Sequence, residues 1–277
     1  MLVYGGIDFL VYTVLDDLWA YDAIAQSWTQ LSPGGTAPTG RYSHAAAWSE
    51  AQQKMFISGG VALNGFTATL LGDLFCYDAS TNTWSELTAL TAPTLDPPSL
   101  WGHSMVWLPR SESLLVYGGK PGVGSDDVAT STLYGFTLAS HVWEEISYTG
   151  TIAASDEHAA VWYEGAYETT GDWAWDGHEA MLLFGGYDTS GSLLGDLTTM
   201  WFKPATTTSA TSTTSITTAT TQTATVIRER DRALVLPRAE LLRPPLRGAR
   251  GLGAAWSALG AEGRAPRRLG QLVHLRR

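Results

Sequence analysis

The sequence predicts an all-β fold made of successive four-stranded units, and three recurrences support that prediction. Double glycines close short β-rich runs at LVYGG (Gly5, Gly6), MFISGG (Gly59, Gly60), LLVYGG (Gly118, Gly119) and LLFGG (Gly185, Gly186). A tryptophan stands 23 to 25 residues after the first glycine of the first three pairs, at Trp28, Trp84 and Trp143. The stretch DLWAYDAIAQSW (Asp17–Trp28) returns 56 residues later as DLFCYDASTNTW (Asp73–Trp84). A period of several tens of residues marks stacked units that bury their apolar faces on one another.

Each unit opens on a small-residue strand after a histidine, as in HAAAW from His44 and HSMVW from His103, each 15 residues before its glycine pair. The second strand is the apolar run that ends in Gly-Gly, where a side chain would obstruct packing or a positive φ is required. A polar loop leads to the third strand, DLWAYD, DLFCYD or TLYGFT, with apolar residues at alternate positions. Turn-forming DAIAQ and DASTN then introduce a fourth strand centred on the tryptophan. The aromatic side chains, each able to bury roughly 150–250 Å², fill the space between neighbouring sheets. His158 stands 27 residues before the fourth pair, and the insertion Tyr163–Glu179 accounts for the excess.

The set of His, Gly-Gly, aromatic-Asp and Trp closely resembles the kelch repeat, and the resemblance implies a β-propeller of four-stranded blades around a central axis. Three to four blades are expected. Units at roughly 41–89 and 100–148 are complete, the first unit lacks its opening strand, and the last, about 157–203, has a poor third strand and no recognisable fourth. Kelch propellers generally close with six or seven blades, so the open edges imply either a fragment of a longer product or self-association through unpaired strands.

Composition divides the chain near Pro204. Residues 1–205 carry 23 acidic and 5 basic side chains, a net charge of −18, whereas residues 206–277 carry 4 and 12, a net +8. The expected organisation is a partial propeller at 1–205, a Thr/Ser-rich linker at 206–225 and an Arg-rich, disordered tail at 226–277. Cys76 is the only cysteine, which excludes an internal disulfide and a multi-cysteine zinc site. No leader and no run of about 18 apolar residues is present, so no membrane span is expected. These features favour the cytoplasm, with secretion open if residues precede Met1.

Catalytic chemistry finds little support. His44, His103 and His158 would suit zinc or copper if their strands converged, but recurrence at one place in every unit favours a bond made inside each blade. Galactose-oxidase-like propellers bind copper through tyrosine and histidine, one tyrosine being cross-linked to a cysteine; Cys76 occupies the place of Ala20 and reads as a small core residue. Asp16-Asp17, Asp126-Asp127 and Glu144-Glu145 are adjacent on strands or loops and cannot form acid/base dyads. No cofactor and no metal is expected, and the alternative is an enzyme or small-molecule binder, galactose-oxidase-like or sugar-modifying, that uses the central channel.

A non-enzymatic protein-interaction scaffold is therefore the expected function. The resemblance implies binding surfaces on the loops between second and third strands, here 7–16, 61–72, 120–131 and 187–195, and on the approaches to the first strands around Arg41 and Trp101. Asp16, Asp126 and Asp127 make these loops acidic, and the insertion adds Trp173, Trp175 and Asp176 as a candidate tip. Net negative charge favours a partner with a basic surface and disfavours nucleic acid on the propeller.

Overall fold

A computed structural model of the chain describes residues 1–88, 98–124, 127–164, 179–202 and 224–228, the last through its backbone. No α-helix occurs among the described residues. Blade 1 is a three-stranded antiparallel sheet of β1 (Leu2–Asp8), β2 (Thr13–Asp22) and β3 (Ser27–Leu31). The chain then passes through the short β4 (Gly34–Gly35) into blade 2, built from β5 (Ala45–Ser49), β6 (Lys54–Ser58) and two later strands; a separate hairpin, β7 (Val61–Asn64) and β8 (Thr67–Leu70), stands between its second and third strands. The two later strands are β9 (Leu74–Asp78) and β10 (Thr83–Glu86). Blade 3 comprises β11 (Ser104–Leu108), β12 (Ser113–Tyr117), β13 (Leu133–Thr137) and β14 (Val142–Glu145), in that order across the sheet.

After β15 (Tyr148–Thr149), blade 4 contains β16 (Ala159–Glu164), β17 (Glu179–Phe184) and β18 (Leu197–Phe202). Its fourth strand is β19 (Ala224–Arg228), antiparallel to β18. The sequence shows no recognisable fourth strand in this unit, and the ladder with β18 is where one is found. Val226 lies opposite Met200, in the register position that Trp143 takes opposite Phe136, so the tryptophan marker is missing there. A second regularity identifies β19 as a true outer strand. β4 runs parallel to β10, and β15 runs parallel to β19, so in both cases the segment leaving one blade lines the outer strand of another.

The expected turns form as their residues dictate. Asp22 accepts the Ile24 and Ala25 N–H groups at 2.8 and 3.0 Å, and Asp78 accepts those of Ser80 and Thr81 at 2.9 and 3.3 Å. Each turn ends on a residue in the left-handed region, Gln26, Asn82 and His141 in turn. The aromatic residue before the turn and the tryptophan after it face each other across the strands. Their ring centroids lie 5.0 Å apart for Tyr21–Trp28, 5.2 Å for Tyr77–Trp84 and 5.1 Å for Phe136–Trp143.

The core consists of the layers between blades. Tyr4 and Leu18 of blade 1 meet Ile57, Phe75 and Trp84 of blade 2. The opposite face of blade 2, with Phe56 and Leu74, meets Trp107, Leu114 and Trp143 of blade 3, where Phe56 stacks on Trp107 at 5.1 Å. Blade 3 in turn lays Leu115, Tyr117 and Leu133 on Met181, Met200 and Phe202 of blade 4. Interior sheets are thus apolar on both faces, which is why every residue of β11 and β12 is buried.

The glycine pairs set the distance between these layers. The second glycine of each of the first three pairs donates its N–H to a carbonyl of the next blade: Gly6 to Arg41, Gly60 to Leu100 and Gly119 to Ser155, each at 2.8 Å. Each acceptor stands three residues before a recurrent histidine. A Cβ on Gly59 would lie 2.4 Å from the Leu100 carbonyl oxygen and 2.9 Å from the His103 ring, and one on Gly118 would meet Ser155 and His158 in the same way. Beyond a bond inside the same blade, where His158 Nδ1 lies 3.2 Å from the Ser155 hydroxyl, the histidines of blades 3 and 4 also act between blades. His158 shows this directly, with Nε2 2.8 Å from the Ser104 hydroxyl of blade 3.

Gly59→Ala should lower the urea-unfolding free energy by about 3 kcal/mol or more, because φ +63° and two rigid neighbours both oppose the methyl group. Gly65→Ala is the control: its φ is +61° with nothing within 4 Å, so only the backbone term of about 1–2 kcal/mol is expected. Equal effects would contradict the assigned role of the blade contact.

Candidate functional site: the loop rim of the blades

Beyond each glycine pair the chain forms a bridge with the segment approaching its own first strand. The bridged pairs are Tyr42 with Val61, Trp101 with Lys120, and Asp156 with Tyr187. One residue further on, the approach segments are joined to one another: the Gly102 N–H donates to the Ser43 carbonyl at 2.9 Å and the Glu157 N–H to the Gly102 carbonyl at 2.7 Å. Ser43, Gly102 and Glu157 all have positive φ, at 52°, 65° and 56°. This backbone ladder is the fixed base from which the loops between second and third strands project.

Two of those loops are hairpins with apolar tips. In blade 1, β1 and β2 continue past a bulge at Tyr4/Gly6 and turn through Phe9, Leu10, Val11 and Tyr12, all exposed. The Asp8 carboxylate accepts the Leu10 N–H at 2.8 Å and holds that turn. In blade 2 the β7–β8 hairpin carries Phe66 at its tip. Leu10 is 94% and Phe66 97% exposed, so neither side chain folds back on its blade. Blade 3 adds exposed Val123 and Val128, and blade 4 adds exposed Leu193. Sequence reading passed over these residues by treating the loops as polar. The available signal was the run IDFLVYT directly after Gly6, apolar where a connecting loop should be hydrophilic.

The residues singled out from sequence fare differently. Asp16 is exposed beside the blade 1 hairpin, and Asp127 is half-buried, its carboxylate accepting the Gly124 N–H at 2.5 Å. Trp101 is half-buried; its Nε1 donates to the Gly122 carbonyl at 2.6 Å, and the Lys120 ammonium sits 5.0 Å above the ring while pairing with Asp156 at 3.0 Å. Arg41 requires a correction. It is fully buried, both Nη atoms engage the Asp73 carboxylate, Nη1 also donates to the Gly59 carbonyl at 3.0 Å, and Nε donates to Thr39. Arg41 thus braces the approach segment and has no surface with which to meet a partner. Asp126, Trp173, Trp175 and Asp176 lie outside the described residues, as does most of the proposed linker and tail.

The buried histidines and Cys76 are held in their neutral forms. Burial takes His44 to about 4, with Arg41 acting in the same direction and Asp73 against it. Burial takes His103 to about 3, reinforced by His44 and His158, and takes His158 to about 4 against the pull of Asp156. Burial also pushes the Cys76 thiol up to about 11, as expected of a core residue packed near Phe56. Among the described residues no group of three or more His, Cys, Asp or Glu side chains converges to hold a metal ion, and no helix is long and apolar enough to cross a membrane.

Four-stranded sheets stacked face to face, with glycine-paired second strands, define kelch-type propeller blades. The sequence profile of the Attractin/LZTR1 β-propeller family matches residues 1–171, and the chain belongs to that family. Multiple epidermal growth factor-like domains protein 8 of Homo sapiens is 26% identical over 191 residues, which cover 67% of this chain and 6% of that protein. Acyl-CoA-binding domain-containing protein 5 of Arabidopsis thaliana is 28% identical over 189 residues, covering 68% of this chain and 26% of its own length. The solved "Structure of YjhT" aligns with a TM-score of 0.48 at 16% identity, covering 68% of this chain and 50% of the other. The chain thus spans about a quarter or less of the length of these curated relatives.

The histidines give the fold a definite acid response. Their folded pKa values lie below the unfolded value of about 6.5, so on acidification the unfolded chain takes up protons first. Stability is complete above about pH 6.5 and is lost as pH falls towards 4, with a slope of up to about 4 kcal/mol per pH unit for three groups. Urea midpoints measured at pH 7 and pH 5 should show the loss, and His103→Asn should make the decline shallower. A flat profile would remove the blade-interface role of these rings.

Proposed function

We propose that the chain is a non-enzymatic protein-interaction module that binds through the rim of loops between second and third strands. One observation supports this above others: apolar side chains are held fully in solvent at the tips of ordered hairpins on blades 1 and 2, where folding gains nothing from them. Exposed aromatic and aliphatic groups of this kind supply the central contacts of protein interfaces. Around them lies a propeller with a net charge of −18, so a partner with a basic rim and an apolar centre is the best match. Asp16 and Asp127 act as rim charges and Trp101 as a half-buried anchor.

Affinity capture from an extract of the source organism tests this reading. Leu10→Asp and Phe66→Asp should each weaken recovery of the bound protein about tenfold or more without changing the melting temperature, since both positions lie outside the core. Raising the salt concentration should also weaken it, because the approach is charge-led. Recovery unaffected by both substitutions would overturn the proposal.

A further inference from the structure

The β7–β8 hairpin of blade 2 has one edge taken and one edge open. The Leu71 N–H donates to the Gly60 carbonyl at 2.9 Å, and the ladder then runs through Val61–Leu70, Ala62–Thr69, Leu63–Ala68 and Asn64–Thr67 without a bulge. Hydrogen-bonded and non-hydrogen-bonded pairs alternate along such a ladder, and Val61 fixes the phase. Its N–H donates to the Tyr42 carbonyl at 2.9 Å and its carbonyl accepts the Tyr42 N–H at 3.0 Å, so both groups point away from β8. Leu70, opposite Val61, and Ala68, two residues before it, therefore turn their own N–H and C=O groups outward from β8. Neither residue's backbone finds a partner there among the described residues. β7 is occupied by Tyr42 and lies against β2 of blade 1, whereas β8 meets no described strand but β7.

This open edge also lacks the devices that keep edge strands from pairing. From Thr67 to Leu71 there is no charge and no proline, and the register is unbroken. Thr67 and Thr69 stand exposed on one face, Ala68 and Leu70 are half-buried on the other, and Phe66 stands in solvent at the end. Blade 2 is packed on both sides, by blades 1 and 3, and the edge is open all the same. We infer that β8 receives an extended, basic peptide segment of the partner as an added strand, paired through the N–H and C=O groups of Ala68 and Leu70, with an apolar side chain of that segment against Phe66. The inference rests on the loop-rim reading and states how that rim holds its partner. Charge decides between occupants: pairing β8 with its copy in a second chain would bring together two propellers of charge −18, whereas a segment rich in lysine or arginine is drawn to the same surface. Two outward residues supply about four backbone hydrogen bonds, which set direction and register, while Phe66 and the charge supply affinity.

Panning a phage-displayed library of random linear peptides on the full 277-residue chain is the test. The selected peptides should be rich in lysine, arginine and β-branched residues. In the tightest of them, N-methylation at two residues spaced two apart should each weaken binding about tenfold or more, while N-methylation of the residue between them should leave it unchanged, because only alternate amides face β8. Ala68→Pro removes an outward N–H and none of the hairpin's own bonds; it should weaken the same peptide about tenfold or more with an unchanged near-ultraviolet dichroism spectrum. If that variant does not fold, the N-methylated peptides test the same contact on the unaltered protein. A library without binders, a peptide indifferent to Ala68→Pro, or N-methyl effects without alternation would overturn the inference. So would a dimer of the protein alone that Ala68→Pro dissolves, which would give the edge to a second copy. Partner capture lost with Leu10→Asp while peptide binding ignores Ala68→Pro would leave the rim reading standing and remove only the β8 contact.

Discussion

The structure depends on one steric constraint, the passage of the Gly-Gly pairs of blades 2 and 3 between two histidine-bearing segments. Gly60 and Gly119 lie with less than 3 Å between an added Cβ and the backbone of their own blade's histidine, while Gly59 and Gly118 stand equally close to the next blade. No side chain fits on either side. That closeness allows the Gly60 and Gly119 N–H groups to reach carbonyls of the following blade, and it shuts the imidazole rings away from water, which keeps them neutral. Blade spacing, histidine chemistry and the backbone seam are three consequences of one missing atom at two adjacent positions.

Much of this was legible because the constraint acts on residue type. Glycine and tryptophan have few substitutes at such sites, so their spacing survives as a visible period and leads directly to four-stranded units. Features resting on pairing across long separations were not legible. Arg41 reads as a surface charge until Asp73, 32 residues away, is found to take its guanidinium into the interior. β19 follows a threonine-rich stretch and has Val226 where the pattern asks for tryptophan, so its membership of blade 4 emerges only from its ladder with β18. The exposed tips were missed for the opposite reason. Apolar residues suggest a core, and only the hairpin geometry shows that Leu10 and Phe66 point away from one.

Exposed apolar groups on this protein have two distinct origins. On the faces of blades 1 and 4 they are core positions that no described blade covers, and the same registers are buried in blades 2 and 3. At the hairpin tips they have no buried counterpart, since the loops differ in length and conformation from blade to blade. The first set reflects the fold and the second does not. A common net charge of −18 surrounds both. It opposes contact with like molecules at long range but loses influence within a Debye length, where burial of apolar area decides the outcome.

The approach segments show how a repeat fixes backbone contacts while leaving side chains free to vary. The Arg41, Leu100 and Ser155 carbonyls accept equivalent bonds from the preceding blade, yet each is held in place differently. Arg41 is locked by its ion pair with Asp73 and lies 5.6 Å from the Phe75 ring. Leu100 is held by burial in the layer between blades 2 and 3. Ser155 is steadied by its hydroxyl, 3.2 Å from His158 Nδ1, and its neighbour Asp156 is tied to Lys120. An ion pair, an apolar contact and a polar network thus perform one mechanical task, because what the next blade requires is a carbonyl oxygen at a set place. Other side chains of these segments are released from that task, and there the blades diverge: Tyr42 and Trp101 occupy one bridged position with a phenol and an indole. Chemical variety at the rim follows from uniformity of the seam beneath it.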